Sequence, residues 1–411
     1  MRSMMFGMLD KRAFAVLISA TMALTPAIAF AAQQIPTEPA VQAPAATPAP
    51  QAAQPKKPSK LISPDDGWFD ISGFLGKKYG FVPIAMPITE PAIGFGIAAG
   101  ITFVSAPTEG AARDPFMRPN TTVVGGLGTD NGTWAGLAAD IRHWGNNRVQ
   151  TVFAFVDASV NLDFHGTGET PLASGAPTAY NLHPVAVIAQ AKYRLGGSRT
   201  WAGVGYVFSK TLVSFDAPDG TPGLPDVNRD SHIGGLTPSF TYDSRDEMYT
   251  PSRGTYVEAT AGFYGTDLGG DDEFQKLGII AMQYVPLHPR FTLGLRGDAG
   301  FTYGDAPFYV RPYVLLRGAP VMRYQRDNLA QLEGEVRWQF WKRFSAIGFV
   351  GSGVVWNNLD TLERKLTVTT GGAGFRYEIA RQFKLHMGAD FAYGPDGPAF
   401  YIQFGSAWIR P

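Results

Sequence analysis

From about Phe81 onward, apolar and polar residues alternate along the chain with a period of two. Phe291, Leu293, Leu295, Ala299, Phe301 and Tyr303 alternate with Thr292, Gly294, Arg296, Asp298, Gly300 and Thr302. The same rhythm runs through Gln382–Gly394. Across Asn328–Phe340, Leu332, Val336, Trp338 and Phe340 share one side, and Gln331, Glu333, Glu335, Arg337 and Gln339 share the other. A strand turns successive side chains to opposite faces, so this pattern predicts β-strands with one apolar and one polar face. About sixteen such segments follow one another, from Phe81–Ile88 to Ala399–Ile409, many of them roughly ten residues or longer. Strands of soluble sheets run to about five or six residues.

Most connections after even-numbered segments are tight, as in WGNNR, LGGSR and PLHP, and most long ones follow odd-numbered segments. Ala106–Asn120 breaks that rule. Short turns on one side and long loops on the other are the pattern of outer-membrane barrels. A soluble β-sandwich would need ordinary strand lengths and two packed apolar faces. The predicted fold class is therefore all-β, a transmembrane antiparallel barrel of about sixteen strands, closed so that no edge is left unpaired in lipid. Recurrent Trp134, Trp201, Tyr264, Trp338, Tyr377, Tyr393 and Trp408 are expected to form its interfacial girdles. Asp140, Arg142, Asp243, Arg296, Asp298, Glu333, Glu335, Arg337, Arg376, Glu378, Lys384 and Asp390 are expected to face the lumen.

The segment before the barrel divides in three. Residues 1–31 have Arg2, Lys11 and Arg12 ahead of the apolar run AFAVLISATMAL, then Ala29-Phe30-Ala31, and predict a signal peptide cleaved after Ala31. Residues 32–60 are rich in Pro, Ala and Gln and predict an extended periplasmic linker. Residues 61–80 predict a short amphipathic helix, with Pro64, Asp65 and Asp66 at its start and Trp68, Ile71 and Leu75 toward one face. Gly67, Gly73 and Gly76 weaken that helix by about 1 kcal/mol each, so it needs lipid or the barrel base to lean on. Residues 81–411 are then the barrel domain, placed in the bacterial outer membrane.

Composition sharpens this only in part. Lys+Arg and Asp+Glu are both 35, which gives no support for a nucleic-acid partner. Cys is 0, so disulfides and thiolate metal sites are excluded. His143, His165, His183, His232, His288 and His386 show no metal-ligand spacing, and no nucleophile elbow or phosphate-binding loop occurs. No catalytic residue, cofactor or metal is predicted. His386 is the one candidate for a barrel-borne surface lipid hydrolase.

The long loop Phe308–Asn328 stands out, because it is apolar, aromatic and cationic at once, with Arg311, Arg317, Arg323 and Arg326. A guanidinium folded into the barrel needs a wall carboxylate, since leaving it unpaired costs several kcal/mol. Alternation puts Glu333 and Glu335 on the inner face immediately after the loop, and they are the expected partners of Arg317.

Three pieces together resemble the BamA/TamA superfamily of outer-membrane barrels, the bacterial surface antigen group. LTPSFTYDSRDEMYTPSRGTYVEATAGFYG is similar to the family's strand–turn–strand signature, with Asp243, Arg245, Asp246, Pro251, Arg253 and Gly254 in place. LLRGAPVMRYQRDN matches the arginine–glycine motif of Arg317 and Gly318 in the loop between strands eleven and twelve. LAQLEGEVRWQFWKRFSAIGFVGSGVVW, GGAGFRYEI and the last hairpin are similar to the closing strands. The resemblance implies that the loop folds inward as a latch, with Arg317 held by acids on the wall and Glu335 where the family places a glutamate. Ala319 stands in place of the usual aromatic, so the loop tip is expected to pack less. Gly351 stands in place of an aspartate, which removes one expected partner of Arg317. The end, Trp408-Ile409-Arg410-Pro411, lacks a terminal aromatic. With only a linker and short helix ahead of the barrel, the chain resembles the branch without POTRA domains. The implied function is insertion or transport of proteins or lipids, with outer-membrane lipid, client molecules and the barrel assembly machinery as partners. A passive or gated small-solute pore is the alternative.

Overall fold

The computed structural model describes residues 61–75, 80–105, 120–166, 176–218, 221, 224–225, 228–358 and 365–409. The expected signal peptide, the expected linker and nearly all of the irregular Ala106–Asn120 connection lie outside these residues. One short helix, α1 (Ser72–Leu75), precedes sixteen strands in a single antiparallel sheet whose order follows the sequence. They are β1 (Gly80–Glu90), β2 (Gly94–Ser105), β3 (Asn120–Thr129), β4 (Trp134–Trp144), β5 (Val149–Phe164), β6 (Thr178–Arg194), β7 (Thr200–Phe215) and β8 (Arg229–Asp243). After them come β9 (Gly254–Tyr264), β10 (Phe274–His288), β11 (Phe291–Gly304), β12 (Asn328–Trp341), β13 (Phe344–Trp356), β14 (Leu366–Ala380), β15 (Leu385–Gly394) and β16 (Gly397–Phe404). A strand of 11 residues such as β4 is about 36 Å long, which at barrel tilt covers roughly the 25 Å apolar band of an outer membrane.

The outer face is a lipid surface. Phe95, Ile97 and Phe103 of β2, Phe153 and Phe155 of β5, and Leu332, Val336 and Trp338 of β12 all stand exposed on it. Trp134, Trp338 and Tyr393 belong to this outer surface. Trp201, Tyr264 and Trp408 do not form girdles: Trp201 pairs with inward Thr241, and Tyr264 and Trp408 are buried.

The inner face is not uniformly polar. Along β2–β7 much of it is apolar, with Ala98, Leu127, Leu137, Val156, Ile188 and Val207 buried in one cluster with the β11–β12 loop, and Thr102, His143, Arg194, Ser209 and Thr211 are buried on the same strands. Across β8–β15 it carries Thr241, Glu258, Lys276, Arg296, Asp298, Glu333, Glu335, Arg376 and Asp390. Asp140 and Arg142 correct the expected lumen set. Their register places them outward, opposite Phe153 and Thr151, while Leu137 and Ile141 point in. There they pair with each other at 2.8 Å, and Thr122 donates to Asp140 at 2.5 Å. Lys384 sits in the β14–β15 turn, 3.8 Å from Asp246, and not on the lumen wall.

The barrel base holds residues 61–75. Among the described residues of the expected helix over residues 61–80 only Ser72–Leu75 is helical, because Asp66 and Asp70 are drawn to Arg343 and the chain is pinned in turns before α1; residues 76–79 lie outside the described residues. Arg343, in the β12–β13 turn, donates to Asp66 Oδ2 at 2.7 Å, to Asp70 Oδ2 at 2.8 Å and to the Phe69 carbonyl at 3.2 Å. The Ile71 amide donates to the Ile379 carbonyl at 2.9 Å. Trp68 packs edge-on against Trp341 and Phe344, with centroids 5.2 and 5.5 Å apart, and so joins the interfacial aromatics. Leu75 ends α1.

The last strand also differs from the expected Ala399–Ile409. The chain leaves the sheet at Gly405, where φ is +76° and an added Cβ would lie 2.7 Å from the Tyr249 carbonyl oxygen. Residues 405–409 then turn inward, with the Ser406 amide on the Tyr249 carbonyl at 2.5 Å and Trp408 in the lumen.

Candidate functional site

The β11–β12 loop occupies the lumen. Phe308 packs edge-on against Phe164 at 5.0 Å and Tyr180 at 5.6 Å, which anchors the loop to β5 and β6. Lys276 of β10 donates to the Val310 carbonyl. The Val314 amide donates to the Tyr324 carbonyl at 2.9 Å, and Tyr313 bridges Gln325, so the loop is itself a small hairpin. Arg311 and Arg323 serve its edges, 3.3 Å from Asp327 and 3.0 Å from Asp396. These contacts drive the tip, Arg317-Gly318, against β12 and β15.

At the tip Arg317 lies in a cage of three carboxylates. Its Nη2 is 2.8 Å from Glu333 Oε1 and 2.8 Å from Glu335 Oε2, and its Nη1 is 2.9 Å from Asp390 Oδ2. The guanidinium lies over the Phe349 ring at 3.6 Å, a cation–π contact from below. Burial disfavours the charge of Arg317, but Glu335, Glu333 and Asp390 outweigh it and hold the pKa above the ordinary guanidinium value. Gly318 has φ +93°, and an added Cβ would lie 3.2 Å from the Tyr393 backbone. Its amide donates to the Tyr401 hydroxyl at 3.0 Å.

Two of the three carboxylates, Glu333 and Asp390, have a second partner. Trp408 Nε1 donates to Glu333 Oε2 at 2.6 Å, and Arg296 approaches the same oxygen at 3.8 Å. Arg376 grips Asp390 with two donors, at 2.6 and 2.8 Å. This is the arrangement a buried ion cluster needs, since any charge left single would cost several kcal/mol.

Sequence reasoning placed Glu333 and Glu335 beside Arg317, and the structure brings all three together. It missed Asp390, Phe349, Tyr401 and Trp408. Asp390 supplies the acid that Gly351 does not. A side chain at Gly351 would meet Leu316 Cδ2 at 2.8 Å and Glu333 Cγ at 3.2 Å, so the loop packs where an aspartate would stand. Ala319 is 2% exposed inside a cluster with Val314, Leu316, Tyr324 and Leu329, so the tip is not loosely packed.

The β8–β9 turn is a second polar knot. Arg245 holds Asp243 with two donors at 2.9 and 2.8 Å and lies 4.5 Å from the Tyr256 ring centroid. Asp246 accepts from the Ser252 amide at 2.9 Å and the Ser252 hydroxyl at 2.6 Å. Gly254 has φ +105°, and a Cβ there would lie 2.4 Å from the Ser244 carbonyl oxygen. Arg337 donates to the Pro251 carbonyl at 3.0 Å. Arg253 is exposed at the rim. The inward tail joins the two sites, with Ser406 on Tyr249 and Trp408 on Glu333. His386 Nδ1 faces the Lys384 carbonyl at 3.0 Å. No cluster of potential metal ligands occurs among the described residues.

Residues 200–313, from β7 into the lumenal loop, match the Omp85 superfamily domain. That segment carries an Omp85 superfamily match, and the fold is that of a BamA/TamA-like outer-membrane barrel. The fold is similar to BamA from Haemophilus ducreyi lacking POTRA domains 1–3, with TM-score 0.54, 12% identity, and 80% of this chain and 70% of that one covered. It is also similar to CdiB from Escherichia coli, at 0.57, 10%, 80% and 60%, and CdiB from Acinetobacter baumannii, at 0.51, 10%, 79% and 58%. The chain thus spans less than two thirds of either CdiB. No curated protein matches the sequence.

Proposed function

We propose that this Omp85-superfamily barrel assists the insertion or transport of proteins or lipids at the outer membrane, with the β11–β12 loop as its internal latch. The observation that carries the reading is Arg317 held by Glu333, Glu335 and Asp390 from two separated strands, β12 and β15. A loop tip tied across the wall in this way can hold one barrel state and release another when a single cation moves. The apolar cluster that joins the inner wall of β2–β7 to the same loop weighs against a steadily open aqueous pore. The chain is exported through a cleaved signal peptide and is itself inserted by the barrel assembly machinery. Its partners are outer-membrane lipid and client proteins or lipids.

Planar-bilayer recording tests the latch. The wild type should give small, flickering conductance, and Arg317→Ala should raise it. Large, steady openings in the wild type would establish the pore reading instead. Depletion in cells tests the transport role: unchanged outer-membrane protein and lipid composition would reject it.

A further inference from the structure

The strands contain six prolines, and each lacks the amide donor that a ladder requires. Three of them coincide with breaks inside the sheet. The β5–β6 ladder skips Pro184 between Asp157–Val185 and Val160–Leu182. The β8–β9 ladder skips Pro238 between Leu236–Phe263 and Ser239–Thr260. The β10–β11 register shifts between Pro286 and His288. The other three, Pro83 and Pro87 of β1 and Pro398 of β16, lie on the two strands that meet at the seam.

Their nitrogens face that seam. Phe95 turns its peptide groups to β3, because its carbonyl accepts from the Asp130 amide at 2.8 Å and its amide donates to Asp130 Oδ1 at 2.9 Å. Alternation then gives the even-numbered residues of β2 to β1, and their register partners in β1 are also even-numbered. Phe81, Pro83, Ala85, Pro87 and Thr89 are left pointing to the seam. In β16 the Ile402 amide donates to Thr89 Oγ1 at 3.1 Å, so Pro398, Phe400, Ile402 and Phe404 point there too. With Ile402 beside Thr89 and the strands antiparallel, Phe404 reaches only Pro87. The chain then turns inward at Gly405. Gly80–Met86 therefore presents an edge toward lipid.

An exposed edge is ordinarily a template for strand addition, because it offers alternating donors and acceptors. Along β1 the seam-facing donors are deleted at Pro83, within this edge, and at Pro87 beside it, and Pro398 deletes one from the facing strand. In lipid each unpaired donor is costly, and proline removes it outright. The surface beside the edge is apolar on both faces. Phe81, Phe95, Ile97 and Phe103 stand exposed outside, and Met86, Ile88 and Ala98 are buried inside. An acyl chain asks for no hydrogen bond and suits such a joint.

We infer that the β1–β16 seam admits the acyl chains of phospholipids and not an added β-strand, so that the cargo crossing this barrel wall is lipid. This rests on the insertion-or-transport reading above. The full-length protein in vesicles of phosphatidylethanolamine and phosphatidylglycerol should speed exchange of a fluorescent phosphatidylethanolamine between leaflets. Pro83→Ala, Pro87→Ala and Pro398→Ala together restore three donors. They should slow that exchange by about tenfold, the factor for one net hydrogen bond across the seam. Pro184→Ala, at an interior break, should leave it unchanged. Heat-modifiable migration checks that each variant folds, and Pro87→Ala alone serves if the triple variant does not.

In parallel, Ala85→Cys is tested for disulfides with cysteines stepped along the last strand of an unfolded outer-membrane protein, and no register-specific series should form. Such a series with the client strand, or one between two copies of this chain, would overturn the inference. So would a wild type that does not speed lipid exchange, or seam variants that exchange at the wild-type rate. Failure of the broader reading shows elsewhere, as unchanged membrane composition on depletion.

Discussion

Replacing Arg317 with alanine removes the one cation that faces three carboxylates at once. Two of those acids keep other partners, because Glu333 retains Trp408 and Arg296, and Asp390 retains the two-donor grip of Arg376. Glu335 is the acid that loses most. An orphaned buried charge costs about 3–5 kcal/mol, and the lost contact with Phe349 adds roughly 1 kcal/mol. We expect Arg317→Ala to destabilise the folded barrel by about 4–6 kcal/mol, read from urea titrations in lipid vesicles followed by heat-modifiable migration. Adding Glu335→Gln should recover about half of that loss, since it removes the orphaned charge. A charge swap, Arg317→Glu with Glu335→Arg, should recover little, because the new carboxylate would face Glu333 and Asp390. Loss below about 1 kcal/mol in Arg317→Ala, or no relief from Glu335→Gln, would refute the buried cage.

Other expectations concern the base, the turn and the tip. Arg343, mainly through its hydrogen bond, holds Asp66 down to about 2, below the ordinary carboxyl value of 3.8. Docking of residues 61–75 is thus fully supported above that ordinary value and lost as pH falls through about 2, which Trp68 fluorescence in acid titration should follow. Arg343→Ala should free the segment for protease cleavage at neutral pH. Burial pushes Glu247, in the β8–β9 turn, up to about 7, so its neutral form stabilises the fold below the ordinary value of 4.5 and that stability fades as pH rises through 7. Glu247→Gln should remove a pH dependence of roughly 3 kcal/mol between about pH 4 and 8, measured by urea midpoints. Gly318→Ala should cost about 1–3 kcal/mol, because a left-handed φ and the Tyr393 backbone both oppose a Cβ.

The barrel is legible in the chain because strand pairing between neighbours leaves a period-two signature in every segment. Glu333 and Glu335 were legible for the same reason, since they follow the loop on one face of the same strand. Asp390 was not, because its distance from Arg317 is set by how β12 to β15 curve and not by local pattern. Asp140 and Arg142 show why polarity alone does not mark the lumen. In β4 both faces carry apolar residues, and only packing under the loop decides which one turns in. The inward tail was hidden because alternation continues past Phe404, with Gly405 as the one hint of a bend. Residues 61–71 form turns where spacing and charge suggested helix, since Gly67 and the pull of Arg343 on Asp66 and Asp70 favour turns there.

The position of the loop tip can be tested directly in the outer membrane. Leu316 lies where a side chain at Gly351 would touch it, at 2.8 Å. In the double variant Leu316→Cys, Gly351→Cys, a short bis-thiol reagent should join loop to wall in intact membranes, and adding Arg317→Ala should weaken the link. Absence of that link, together with labelling of the cysteine at 316 by an impermeant maleimide from the cell exterior, would contradict a loop held inside the barrel.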